Sequence, residues 1–270
     1  MHFGQKNDFL FSIFNSFSYL CREFMNKKRL HIGLAQVDFS CPRVMGILNV
    51  TPDSFFAPSR VGQDELIERA KEMLNRGAYL LDIGGCSTRP GGAQPTEEEE
   101  WSRVAPALEA IRSSMPEAIL SLDTYRPEIA RRAMTDYGEM IINDISGGDD
   151  RMYRLVREAD VPYVLTAKKP TSDMAGIQLI LDPGIGFLGG PDADFEALRS
   201  MHETEHPLLV GVSRKSLIWK TLHTSPNEAL PATQALHMYA LMHGADILRV
   251  HDVREAVETI TLFQKLKGEN

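Results

Sequence analysis

Cysteine is nearly absent. The 270 residues hold three, at positions 21, 41 and 86. An odd number with no metal-ligand spacing excludes a disulfide framework and a cysteine-based zinc site, and it suits a reducing cytoplasm. Positive charge is also short. The 29 Lys and Arg stand against 37 Asp and Glu, a net charge of −8. That balance argues against nucleic acid as a partner, because a phosphate backbone needs a basic face. An anionic ligand must therefore be held by a local cation cluster. No phosphate-binding P-loop occurs. No apolar run is long enough to span a membrane. The nearest candidate, Phe9 to Phe24, is broken by Asn15, Ser16, Ser18, Cys21, Arg22 and Glu23. It also lacks the basic start and small-residue cleavage site of a secretory signal. Residues 1–30 are expected to be an N-terminal extension, dispensable up to Met25, and residues 31–270 one domain.

What the chain does have is one event, repeated. Val44 to Leu48 reads as a fully buried strand. Asn49, Thr51, Asp53 and Ser54 follow at once, and Pro52 stops the strand. Similar short apolar runs recur at 79–83, 119–122, 140–142, 162–166, 178–181, 208–212 and 247–250, separated by helical patterns. Thr96 and Glu99 spell a capping box, and Pro127 opens a helix. Eight strands alternating with helices predict an α/β fold, a (β/α)8 TIM barrel. A doubly wound sheet is the alternative, disfavoured for want of a dinucleotide-type glycine fingerprint. One unit is irregular. Only residues 167–177 separate the fifth strand from the sixth, so that barrel helix is expected to be shortened or absent. The flank is then either locally open or covered by a neighbouring subunit.

Nearly every strand ends in a polar residue: Asn49, Asp82, Asp123, Asn143, Asp182, Ser213 with Lys215, and Arg249 with His251. Any one could cap the next helix. Together, at the carboxyl ends of parallel strands, they predict one ligand site at the barrel mouth. Asp123, Asn143, Asp182 and Lys215 suit a flat, guanidine-like heterocycle, though each carboxylate could instead be an internal ion pair with Lys215 or Arg249. Asn49, Thr88, Arg89, Arg249 and His251 suit phosphate oxygens, with Arg249 and His251 as paired cations two residues apart. Cys86 has no base beside it in sequence and is a weak candidate nucleophile.

These stretches resemble the dihydropteroate synthase family of pterin-binding barrels. The matches are MGILNVTPDSF (45–55), DIGGCSTRPGG (82–92), SLDT (121–124), IIND (141–144), ILDPGIGF (180–187), LLVGVSRKS (208–216) and ILRVHDV (247–253). The resemblance implies a cytoplasmic transferase of folate biosynthesis. It would join 7,8-dihydropterin-6-ylmethyl diphosphate to 4-aminobenzoate, releasing pyrophosphate. It implies that Asp123, Asn143, Asp182 and Lys215 hold the pterin. Asn49, Thr88, Arg89, Arg249 and His251 would hold the diphosphate, with Asn49 also near Mg2+. Pro90, Phe187, Ser213 and Lys215 would meet the aminobenzoate, and the protein would be a homodimer. Some positions depart from the family pattern: Phe56-Ala57-Pro58, Cys86 for Glu, Thr166-Ala167 for Met-His, and Leu188-Gly189 for Gly-Lys. With the lost helix they motivate a second reading, a degenerate paralogue that binds pterin without turnover. A pterin-dependent methyltransferase is a third, and STRPG argues against it.

Overall fold

The computed structural model describes residues 28–51, 60–86 and 94–268. A hairpin of β1 (Arg29–Ile32) and β2 (Ala35–Asp38) comes first. Eight parallel strands follow, alternating with helices. They are β3 (Arg43–Asn49), β4 (Leu80–Gly84), β5 (Leu120–Asp123), β6 (Ile141–Asp144), β7 (Pro162–Thr166), β8 (Gln178–Asp182), β9 (Leu209–Val210) and β10 (Ile247–Val250). The helices are α1 (Arg60–Asn75), α2 (Glu97–Ser114), α3 (Pro127–Tyr137), α4 (Asp150–Glu158), α5 (Pro191–Arg199), α6 (Ser216–Thr221), α7 (Leu230–Met242) and α8 (Val253–Lys267). The strands pair in the order β8-β7-β6-β5-β4-β3-β10-β9. A parallel bridge from Leu181 to Leu208, with Leu181 N–H donating to the Pro207 carbonyl at 2.8 Å, closes the ring.

This closure makes the barrel and excludes the doubly wound alternative. One reason for setting that alternative aside was mistaken. Gly184-Ile185-Gly186-Phe187-Leu188-Gly189 does have the G-x-G-x-x-G spacing. It follows β8 in a ring with no open switch point, so it forms a turn at the mouth and not a dinucleotide crevice.

Two cores result from the period of two along each strand. Outward residues such as Leu48, Leu81, Ile83, Leu122, Ile142 and Leu248 pack under the helices. Inward residues Met45, Leu80, Ile141, Val164, Ile180, Leu209 and Ile247 fill the lower barrel. Leu30 and Val37 of the hairpin, with Phe39 just after it, join this inner cluster and plug the floor. The hairpin carried no clear mark in the sequence. It also moves the domain boundary. Leu30 and Lys28 are buried, and Lys28 Nζ donates to Asp246 Oδ1 at 2.8 Å. The last three residues assigned to the extension thus belong to the barrel.

The fifth helix of the ring is reduced to a 3-10 turn, Ser172–Met174. At that point the chain itself closes the flank. Met174 and Ile177 are buried, and Arg157 of α4 donates to the carbonyls of Asp173 and Ala175. β7 and β8 stay in register over five residue pairs, so the strand tips keep their places.

Candidate active site

Two residues above the apolar inward layer, the same face turns polar. Asp82 stands over Leu80, Asn143 over Ile141, Asp182 over Ile180 and Arg249 over Ile247. Asp123 pairs in register with Asn143. The strand period therefore gathers these groups in one ring.

Arg249 is the centre of that ring. Its Nε donates to Asp82 Oδ2 at 2.6 Å, and its Nη2 donates to Asp123 Oδ2 at 2.6 Å. Asp82 is fully buried, and it also accepts from Ser121 Oγ (2.6 Å) and Asn143 Nδ2 (3.1 Å). These charge-assisted bonds set the guanidinium plane before any ligand arrives. Burial works against the Arg249 charge, but Asp82 and Asp123 outweigh it and hold the group above its ordinary value. Burial pushes Asp123 up to about 7, against the pull of Arg249 and with Asp82 adding to the rise.

The opposite rim is built by the turns after β8 and β9. Asp182 Oδ1 accepts the Gly184 N–H at 2.7 Å. Burial raises the Asp182 carboxyl and Lys215 opposes that rise. Lys215 gives its ammonium to the Ile185 carbonyl and lies 4.6 Å from the centre of the Phe187 ring. Burial pushes Lys215 down to about 8, with Asp182 pulling it up. Gly186 is required here. Its φ is +92°, and a Cβ would stand 2.7 Å from Lys215 Cδ. Phe187 is 39% exposed, a flat apolar face beside the ammonium.

Arg214 locks this rim to the next. It has φ +52°, and its fork grips Asp252 through Nε (2.8 Å) and Nη2 (2.9 Å). Ser213 is buried and its hydroxyl accepts the His251 N–H at 3.2 Å. His251 does not match the cation expected of it. Burial, then the neighbouring Arg249 charge, push it down to about 4, so at neutral pH the ring is uncharged without a bound anion.

The two chemical halves read from the sequence are not separate, since Arg249 bonds Asp123 directly. Asn49 is exposed at the end of β3. It borders the ring, because a Cβ on Gly84 would sit 3.4 Å from Asp123 Cβ and 3.7 Å from Asn49 Oδ1. Thr88, Arg89 and Pro90, with Asp53 and Ser54, lie outside the described residues. Asp82 and Arg214 are groups of the site to which the sequence reading gave no role. Asp82 was legible as a strand-end residue, but its depth was not. Cys86 is buried, and its thiol is pushed up to about 12 by burial and then Glu100, which removes it as a nucleophile. Among the described residues no three His, Cys, Asp or Glu side chains are grouped to hold a metal ion.

Comparison with known proteins matches residues 45–178 and 171–251 to a family model described as pterin binding enzyme. The dihydropteroate synthase of Escherichia coli strain K12 is 37% identical over 263 residues, covering 84% of this chain and 93% of that protein. The dihydropteroate synthase of Bacillus subtilis strain 168 is 38% identical over 244 residues, covering 78% and 84%. A solved Xanthomonas albilineans dihydropteroate synthase with 4-aminobenzoic acid superposes with a TM-score of 0.80 at 31% identity, covering 89% of this chain and 98% of that one.

Proposed function

The chain belongs to the dihydropteroate synthase family of pterin-binding enzymes, and from that premise we infer that it joins a 7,8-dihydropterin-6-ylmethyl diphosphate to 4-aminobenzoate. The observation that carries this reading is the Asp82–Arg249–Asp123 bridge, set in a ring with Asn143, Asp182 and Lys215. The carboxylates and amide accept from and donate to the pterin ring, and the Lys215 ammonium sits against its edge. Arg249 lies where it can turn a donor toward a departing diphosphate. The bond from the methylene carbon to the diphosphate oxygen breaks, and the arylamine nitrogen takes its place and sheds a proton. Positive charge that develops on the methylene and pterin faces Asp123 and Asp182. The chain supplies no covalent nucleophile in this scheme.

We place Mg2+ with the diphosphate and not in a protein cage. Among the described residues, where no three His, Cys, Asp or Glu side chains are grouped, the donor set fits that arrangement. Asn49 offers one exposed neutral oxygen with no side-chain hydrogen bond among the described residues, and it would be the protein group that holds the ion beside the diphosphate. When bound, it would neutralise the leaving group. A homodimer is part of the reading. Met242 of α7 and Leu262 and Leu266 of α8 are 68%, 61% and 78% exposed, apolar surface of the kind interfaces cover. A cytoplasmic setting is supported by the unpaired thiols of Cys41 and Cys86. No helix among the described residues is long and apolar enough to cross a membrane.

The test is product. Purified protein given both substrates and Mg2+ should form dihydropteroate, and a chain starting at Met25 should do so equally well. Pterin binding without product would sink the synthase reading. A slower or unfolded truncated chain would show that the extension matters.

Proton linkage gives a second check. A pterin that donates to Asp123 needs it ionised, and that group sits at about 7. Pterin affinity should climb from pH 5.5 toward 7 with a slope approaching tenfold per unit, then level off. Titration calorimetry across this range should show the climb in the parent and a weak, flat profile in Asp123→Asn. A flat parent profile would remove Asp123 from the ring contact.

A further inference from the structure

A buried carboxylate outside the ring stands behind the rim that Lys215 and Phe187 share. Asp194 lies in the first turn of α5 and is 1% exposed. Its side chain leaves its own helix, and Oδ1 accepts the Gly186 N–H at 2.7 Å. The turn after β8 is thereby held at three successive residues by side chains from three parts of the chain. Asp182 takes the Gly184 N–H, Lys215 donates to the Ile185 carbonyl, and Asp194 takes the Gly186 N–H. The Phe187 N–H then closes the turn on the Gly184 carbonyl at 3.0 Å. The residue that Asp194 grips also lies against the lysine, since a Cβ on Gly186 would stand 3.2 Å from Lys215 Nζ.

The needs of α5 do not account for this carboxylate. An acid in the first turn favours a helix, but exposed Asp192 already supplies one there. A neutral acceptor would satisfy the Gly186 N–H without the cost of burying a charge. The Lys215 ammonium gives that charge something to act on. The charged groups that face it are Asp182 of β8, Arg249 of β10, Asp194 of α5 and Asp123 of β5. Burial and Arg249 work against the ammonium, and the three carboxylates favour it. Asp182 and Asp123 are assigned to the pterin. Asp194 is the carboxylate left to the lysine when a ligand is bound.

We propose that Asp194 is a positioning residue for the condensation, one carboxylate that fixes the turn carrying Phe187 and sets a negative charge behind the Lys215 ammonium. The proposal rests on the synthase reading, in which Phe187 meets 4-aminobenzoate and Lys215 meets the pterin. Asp194 acts only through them. Its hydrogen bond and its charge are separable, because an amide of the same shape keeps the first and loses the second.

Asp194→Asn keeps an oxygen for the Gly186 N–H and removes the charge, whereas Asp194→Ala removes both. The ammonium can be followed without substrate through the NMR resonance of isotope-labelled Lys215 Cε, assigned by its loss in Lys215→Arg. In the parent it should titrate at about 8. In Asp194→Asn it should titrate lower, by roughly half a pH unit or more. Pterin affinity of that variant should match the parent at pH 6, where the lysine is charged in both. At pH 9 it should lie about threefold below the parent, the factor that half a unit gives. The KM for 4-aminobenzoate at pH 6 should stay parent-like in Asp194→Asn and rise about tenfold in Asp194→Ala, because only the second frees the turn. An unchanged Lys215 titration in Asp194→Asn would overturn the assignment, and so would a parent-like KM in a folded Asp194→Ala. If Asp194→Ala does not fold, the titration of Asp194→Asn still decides. That titration needs no turnover. An inactive parent would therefore refute the synthase reading alone, and an unmoved lysine would still refute the role of Asp194.

Discussion

Replacing Arg249 with Ala should lower turnover by about 10³-fold or more, because a permanent cation of the inner ring, bonded to both Asp82 and Asp123, is gone. Diphosphate departure is the step that suffers, so kcat should fall while the pterin ring, held mainly by other groups, still binds. The variant should also lose stability. Asp82 and Asp123 would be left buried without their counter-charge, and removing one partner of a buried ion pair costs about 3–5 kcal/mol. The sign of its pH dependence follows. In the parent, Asp123 already holds its proton to about 7. Its folded-state value exceeds that of the unfolded chain, so folding binds protons and stability falls as pH rises from about 4 to 7. Without Arg249 that rise is larger. The gap in thermal midpoint between variant and parent should therefore be widest above pH 7 and narrow toward pH 5. Steady-state rates and melts at pH 5, 6, 7 and 8 check both parts. Turnover near the parent level would remove Arg249 from the chemistry.

The strand tips could be read in advance because a parallel barrel makes two demands on sequence at once. Each strand must be apolar on both faces low down, which is why Val44 to Leu48 and Ile141-Ile142 stood out. Each must then become polar where the inner face opens, which marked Asn143, Asp182 and Arg249. The hairpin 29–38 was hidden because its two strands are four residues each, half exposed, and share one inner cluster with residues distant in sequence such as Leu209 and Ile247. Charge state was hidden for a related reason. His251 beside Arg249 looks like paired cations in sequence, yet burial and that same arginine keep the ring neutral. The sequence offered an ion pair between a strand-tip carboxylate and Arg249 as an alternative, and the structure takes it, with Asp123 and with Asp82. The two carboxylates lie 126 and 167 residues from Arg249. Only the closed ring brings them together.

Asp82 supplies the second large effect, and it acts without touching a ligand. Asp82→Ala removes the acceptor of three donors: Arg249 Nε, Asn143 Nδ2 and Ser121 Oγ. Two of the three belong to residues assigned to substrate, so both should drift from their set positions. A displacement of the order of an ångström at such groups costs about 10²-fold in rate, and turnover should fall by that amount. Stability should fall by about 3–5 kcal/mol, as for any broken buried pair. If the carboxylate works through the guanidinium, the two substitutions cannot add. On an Arg249→Ala background, Asp82→Ala should have little further effect on turnover. It should return part of the lost stability, because the buried charge that Arg249→Ala stranded is removed with it. A double-mutant cycle on melts and rates measures this coupling. Additive losses in both would mean that Asp82 and Arg249 serve the site independently, and the orientation of Arg249 would then need another cause.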